Sequence, residues 1–329
     1  MELLKYLAQA SAVSGNEENI IDYIKNYAKE SSDEVYTDAL GNLIVHKSGK
    51  GKKLMLCAHT DEIGVMVTFI DENGFLRFAP VGGVDVNTVL NRRVKFSNGH
   101  IGVISCENSI DVKKDLNFSK LYIDIGCTDE ISASEKVSIG DVAVFDSEFV
   151  STGCRFMGKS LDNRAGVYVL MNVLKNCTES VFDTYYVFSV QEEIGLRGAK
   201  TAAFSINPDY SISIDVTDTG DTPNCKNNSV CLGKGPAIKI MDKSIICHPV
   251  IRRAMEKCAK ANNITVQKEV LSFGGTDAGS IHTTGDGVIT GAVSVPLRYM
   301  HSTCEMVDKT DLDNCIKLVT EFLEDNYID

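Results

Sequence analysis

The sequence predicts an α/β protein whose wound domain is interrupted by an all-β unit. Three observations carry that expectation. Helical and strand-like segments alternate at both ends of the chain, the texture changes between about residues 65 and 150, and several apolar runs stop abruptly in acidic or histidine-bearing clusters. Alternating strands and helices wind into a sheet covered by helices. Short β-branched and aromatic runs separated by turn signals close into small barrels instead.

The elements follow in order. Ile20, Ile21, Ile24 and Ala28 recur at helical spacing within residues 17–29, and Ser14 with Glu17 stands ahead of them as a capping box. Apolar runs at residues 41–45 and 54–58 read as strands, and the second ends in His59-Thr60-Asp61-Glu62. From residue 65 the strand-like runs VMVTFI, FLRFA, RRVKF, GVISC, LYIDIG and VAVFD are divided by turns at Asp71-Glu72-Asn73-Gly74, Ser97-Asn98-Gly99 and Ile139-Gly140-Asp141. Only EISASEKV offers a weak helix there. Past residue 158 the expected elements are a helix at 162–174, a strand at 185–190, a short helix near 198–204 and a strand at 211–214. A helix through Val250, Ile251, Ala254, Met255 and Cys258 follows, then a C-terminal one through Leu312, Ile316, Val319 and Leu323. The expected division is one α/β domain of residues 1–64 and 153–329, interrupted by a β domain of residues 65–152.

Composition excludes several function classes. A net charge of -12 is wrong for phosphate contacts, so neither nucleic acid nor an anionic membrane surface is an expected partner. No run reaches the 18 or so apolar residues of a membrane span, and MELLKYLAQASAVSG lacks the basic and apolar parts of a secretory signal. The 11 cysteines contain no CxxC pair and sit mostly in apolar stretches, as reduced thiols of a cytoplasmic protein packed as small hydrophobes.

Five clusters carry candidate chemistry: His59-Thr60-Asp61-Glu62, Leu161-Asp162-Asn163, Gln191-Glu192-Glu193, Asp215-Val216-Thr217-Asp218 and Arg298-Tyr299-Met300-His301. An acid just past a strand is more often a turn residue or a helix cap. Repetition at several strand ends counts for more, because those ends converge on one edge of a wound sheet. Two histidines and several carboxylates, without thiolate, suit a borderline divalent ion kept open for catalysis. With Asp162 bridging, one ion takes His59, Asp162 and Asp215 and the other takes Asp162, Glu193 and His301. Two such ions, roughly 3.5–4 Å apart, acidify a shared water and stabilise a tetrahedral intermediate, as amide hydrolysis requires.

Glu192 and Glu193 cannot both face one site from a regular strand. At an irregular strand end, one can bind metal while the other acts as general base; both can equally be solvent-facing loop acids. Asp61 either fixes the His59 tautomer or caps a turn. Of the other histidines, His46 is expected exposed, His100 in a turn and His248 at a helix start, with His282 kept as a weak site candidate.

The motifs CAHTDEIG, SLDNRAG, QEEIGLRGA, SIDVTDTGDTP, FGGTDAGSIH and RYMHS together resemble the glutamyl-aminopeptidase and tetrahedral-aminopeptidase family of co-catalytic metallopeptidases, some of whose members carry endoglucanase names. The resemblance runs from about Ser14 to the C-terminal helix. It implies a zinc-peptidase-like three-layer α/β/α sandwich with a mixed sheet, interrupted by a β-barrel dimerisation domain. It also implies two zinc or cobalt ions held by His59, Asp162, Glu193, Asp215 and His301, with Glu192 as base and Asp61 orienting His59. The implied activity is removal of N-terminal residues from peptides by a metal-bridging hydroxide, in a homo-oligomer of dimers that can reach twelve subunits. Two departures, Thr303 in place of proline after His301-Ser302 and Asn224 in place of glycine, bear on substrate preference. Other amide hydrolases on this fold, deacetylase or carboxypeptidase-like, remain the alternative, ahead of a catalytically inactive assembly protein. A glycosidase would need no metal, and a chain with no tryptophan is poorly equipped for a sugar cleft.

Overall fold

A computed structural model describes residues 1–29, 31–225 and 229–328. Its centre is a run of four parallel strands, ordered Asp183–Ser189, Lys53–His59, Tyr210–Asp218 and Ile289–Arg298. Further strands, paired antiparallel except for Ala237–Met241 with Gln267–Val270, extend the sheet on both sides to eleven among the described residues, so it is mixed. The central strands are buried on both faces. In Lys53–His59, Leu54, Leu56 and Ala58 pack with the helices Leu161–Asn176 and Lys309–Glu324, while Met55 and Cys57 pack against Arg197–Ile206 and Ile281. Near-continuous apolar runs are what a strand covered on both faces requires. Helices therefore flank the sheet on both sides, giving the three layers.

The interruption is a closed barrel of six antiparallel strands, which contains each of the six expected runs. It opens at Gly64–Ile70 and ends at Val142–Phe145, with its own core of Val65, Val67, Leu76, Phe78, Val94, Phe96, Ile104 and Ile123. Strand Val150–Thr152 already belongs to the large sheet.

Three local expectations are corrected. Ser14 and Glu17 form no capping box: helix Glu18–Ala28 has no side-chain cap, and both residues turn to partners far along the chain. His46 is half-buried, stacked on Tyr185 and 2.7 Å from Asp183. The strand expected at residues 211–214 runs on to Asp218 because Ile289–Arg298 pairs with it along its whole length. Asp215 thus projects from within a strand.

Eight of the 11 cysteines are buried or half-buried and none is paired, while Cys154, Cys225 and Cys304 are exposed. Among the described residues no helix is long and apolar enough to cross a membrane.

Candidate metal centre and active site

The parallel strands deliver the site at their C-terminal ends, where open sheets bind ligands. His59 closes one strand and the Asp215 side chain leaves the next. Ile289–Arg298 leads through a turn to His301, and Asp183–Ser189 leads to Glu192 and Glu193. Asp162 lies just ahead of the regular turns of its helix, with extended backbone (φ -81°, ψ 107°). Its neighbour Asn163 ties that lead-in to the sheet by donating to the Ile214 carbonyl and accepting from the Gly166 amide.

Asp162 stands between the two histidines. Its Oδ1 is 3.3 Å from His59 Nε2, and its Oδ2 is 3.3 Å from His301 Nε2. His59 Nε2 also lies 3.7 Å from Asp215 and 3.8 Å from Glu192, while His301 Nε2 lies 3.3 Å from Glu193. Among the described residues, His59, Asp162 and Glu193, and His59, Glu192 and Asp215, each bring three donor atoms within 4.8 Å of one another. Both triplets run through His59, whereas the sequence reading divided the ligands between two histidines. A cavity of about 320 Å³ opens over these residues, walled by Leu196, Val216, Met300, Gly274 and Gly275.

Adjacent Glu192 and Glu193 reach the same centre because the strand ends at Ser189 and Gln191 adopts a left-handed conformation (φ 55°). Such backbone strain in a residue other than glycine persists only where its surroundings hold it. Here the Gln191 amide donates to Glu17, and the Glu192 and Glu193 amides donate to Asp61 Oδ1 and Oδ2 at 3.0 and 3.1 Å. Asp61 also accepts from Ser14 Oγ at 2.6 Å. Its Oδ1 is 3.4 Å from His59 Nδ1, which has no hydrogen bond, so that contact is electrostatic.

Crowding of acids sets the electrostatics. Burial opposes the imidazolium form of His59, but Glu192, Asp162, Asp61 and Asp215 hold its pKa well above the usual histidine range. His301 is likewise pushed up to about 12, by Asp162 and Glu193 against burial. Burial, together with neighbouring acids, raises the carboxyls of Glu192, Glu193 and Asp215. Burial works the same way on Asp162, yet the two histidines win and its carboxyl lies far below the usual range. So many carboxylates in one buried pocket call for compensating cations.

Other members of the five clusters serve the scaffold. Glu62 is buried against Lys159, Arg164 and Ser160, and Arg298 forks onto Asp221. His282 bonds the Ala278 carbonyl within its own helical turn and does not line the cavity. The sequence reading missed three residues at the site. Gly83, in the loop leaving a barrel strand, offers its carbonyl to His301 Nδ1 at 2.9 Å, and a Cβ there would meet that ring at 2.7 Å. Asp277 is buried behind His59, hydrogen-bonded to Ser189 and Cys57. Glu305 accepts from the amides of Asp162 and His301. The Gly82-Gly83 pair and the FGGTDAGSIH motif that contains Asp277 were the local signals, and Glu305 had none. Asn224 has a left-handed backbone (φ 61°), which asparagine adopts more readily than most residues other than glycine, so the turn survives that departure.

A mixed sheet flanked by helices, an inserted barrel, and imidazoles and carboxylates gathered at the C-terminal strand ends define a hydrolase of the peptidase type. The M42 glutamyl aminopeptidase family profile matches residues 41–318, and the chain belongs to that family. It is 50% identical to a putative aminopeptidase of Acetivibrio thermocellus over 97% of both chains. It is 36% identical to the lysyl aminopeptidase of Pyrococcus furiosus, covering 98% of this chain and 96% of that one. Among solved structures, an aminopeptidase of Desulfurococcus kamchatkensis superposes with a TM-score of 0.95 at 36% identity, covering 99% of this chain and 94% of that one. The TET1 peptidase of Pyrococcus horikoshii, described as assembling into a tetrahedron or a large octahedral shell, gives 0.90 at 34% identity over 99% of both.

Proposed function

We propose that the chain is a metal-dependent aminopeptidase that removes N-terminal residues from peptides, with His59, Asp162, Glu193, Asp215 and His301 holding two divalent ions, zinc or cobalt. The observation that carries this reading is Asp162, whose two carboxylate oxygens each face a different histidine Nε2 at 3.3 Å. That is the arrangement a carboxylate needs to bridge two ions.

The donor set fits. Imidazole and carboxylate without thiolate suit zinc or cobalt in a catalytic site. The Gly83 carbonyl selects the His301 tautomer that leaves Nε2 free to bind, as second partners of metal-bound histidines usually do. When bound, the ions supply Lewis acidity that lowers the pKa of a water and polarises the scissile carbonyl.

Glu192 acts as general base, taking a proton from the attacking water and passing it to the leaving amine. Asp61 holds the backbone of Glu192 and Glu193, so that base and ligand keep their separation, and its negative charge steadies the His59 ring. Leu196, Val216, Met300 and the Gly274-Gly275 pair form the wall that meets the first side chain of the peptide. Residues 226–228, shortly after Asn224, lie outside the described residues.

We further assign residues 1–64 and 153–329 to the catalytic unit and residues 65–152 to an inserted unit, whose last strand Val150–Thr152 joins the catalytic sheet, and through which the protein dimerises inside a cytoplasmic homo-oligomer. The assembly described for the Pyrococcus horikoshii peptidase supports the homo-oligomer. The deciding experiment is hydrolysis of a panel of aminoacyl anilides with free amino termini by zinc- or cobalt-loaded protein, with chelated protein as control. Metal-dependent cleavage is expected. Cleavage of N-acetylated substrates alone would replace this reading with a deacetylase.

A further inference from the structure

Glu305 is the first residue of strand Glu305–Asp308, and its side chain is 2% exposed. The register pairs it with Gly158, at the end of strand Arg155–Gly158. From there the chain runs in four residues to Asp162, while on the other side His301 lies four residues before Glu305. Glu305 therefore stands where two otherwise separate segments meet, and its carboxylate joins them. Oε2 accepts from the Asp162 amide at 3.0 Å and Oε1 accepts from the His301 amide at 2.9 Å. His301 has a left-handed backbone (φ 57°), as do Tyr299 before it and Ser160 before Asp162. These turns do not hold their shape by local preference and need an outside partner.

We propose that Glu305 is a positioning residue, whose single carboxylate bridges the Asp162 and His301 amides and sets the 3.3 Å approach of those two side chains. The proposal rests on the two-metal reading above. Each Glu305 oxygen accepts from a backbone donor and Glu305 does not line the cavity over the histidines, so it acts through Asp162 and His301 rather than as a ligand itself. Only a carboxylate can do this, because both partners are N–H groups and both oxygens must accept. Glutamine would turn an NH2 donor toward one of the amides, and aspartate, one methylene shorter, cannot reach both at once.

The test is zinc titration of the metal-stripped full-length protein by calorimetry, comparing the wild type with Glu305→Gln and Glu305→Asp. The ion that depends on His301 loses the placement of two ligands and should weaken by about 10–100-fold in both variants, whereas the ion held by His59 and Asp215 loses only that of the shared Asp162 and should weaken several-fold less. Cobalt spectra taken at one and two equivalents should show the same split. Equal weakening of both ions, or a lower melting temperature with unchanged affinities, would make Glu305 merely structural and overturn the proposal. If one variant fails to fold, the other decides. Fewer than two ions on the wild type would overturn the two-metal reading, and this proposal with it.

Discussion

At the residue scale, the site divides acids that face the cavity from acids that face backbone. Asp61, Glu305 and Glu17 each accept two backbone amides: those of Glu192 and Glu193, of Asp162 and His301, and of Gly15 and Gln191. Glu192, which lines the cavity, is free for proton transfer. Replacing it with glutamine keeps its shape and removes its basicity, so zinc content should be unchanged while kcat falls by about 10²–10⁴-fold. Normal turnover by that variant would remove Glu192 from the mechanism. Glu17 offers a separate test, in stability. Burial, reinforced by Asp61 and opposed by the two amides, raises its carboxyl from 4.5 to about 7. The folded protein therefore holds this proton more tightly than the unfolded chain, so the stabilisation is full below about pH 4.5 and is lost as pH rises through 7. In urea unfolding between pH 5 and 8, the wild type should lose up to about 3 kcal/mol more than Glu17→Gln. The same loss in both would show that Glu17 is not the group responsible.

At the element scale, the helix after Asp162 can approach the sheet only because residue 166 is glycine. A Cβ there would lie 2.2 Å from Asn163 Oδ1 and 2.6 Å from the Ile214 carbonyl. Gly166→Ala should cost about 1–3 kcal/mol by overpacking and, by displacing Asn163, should lower activity as well. Full activity with lowered stability would show that Asp162 is held without its neighbour. Elements of this kind were legible in the sequence to different depths. The run at residues 54–58 stopping at His59 was readable, because a strand covered on both faces is apolar until it meets the site. The six barrel strands were readable from their turns. Asp215 was placed past a strand end because the strand's extension depends on Ile289–Arg298, far along the chain. Ser14 and Glu17 have the spacing of a capping box, and nothing local reveals that they bond Asp61 and Gln191 instead. Glu305 was invisible because its role depends on joining the nearby His301 amide to that of Asp162, far back in the chain; Gly83 was marked only by its neighbouring glycine, because the ring it supports lies far along the chain.

At the scale of the whole molecule, the central sheet and the barrel share one site, since His301 is steadied by a carbonyl from the loop that leaves a barrel strand. The strand ends bring Asp162, Glu192, Glu193 and Asp215 together around His59, with Asp61 and Asp277 buried behind them. In the metal-free protein, part of this repulsion is relieved by protons: Glu192 and Asp215 have raised affinities for them, and both histidines hold theirs. Ions that bind the folded chain and not the unfolded one should therefore act as a stabilising ligand. Zinc at about one hundred times its dissociation constant adds about 2.7 kcal/mol for each site filled. The melting temperature should rise by several degrees from chelated to zinc-loaded protein. The rise should shrink as pH falls and protons compete for the same carboxylates and imidazoles, because only deprotonated ligands bind. Calorimetric melts at pH 8 and pH 6, with and without zinc, read both effects. Coincident melts at pH 8 would mean that the acids are stabilised by protons alone and that the pocket holds no ion.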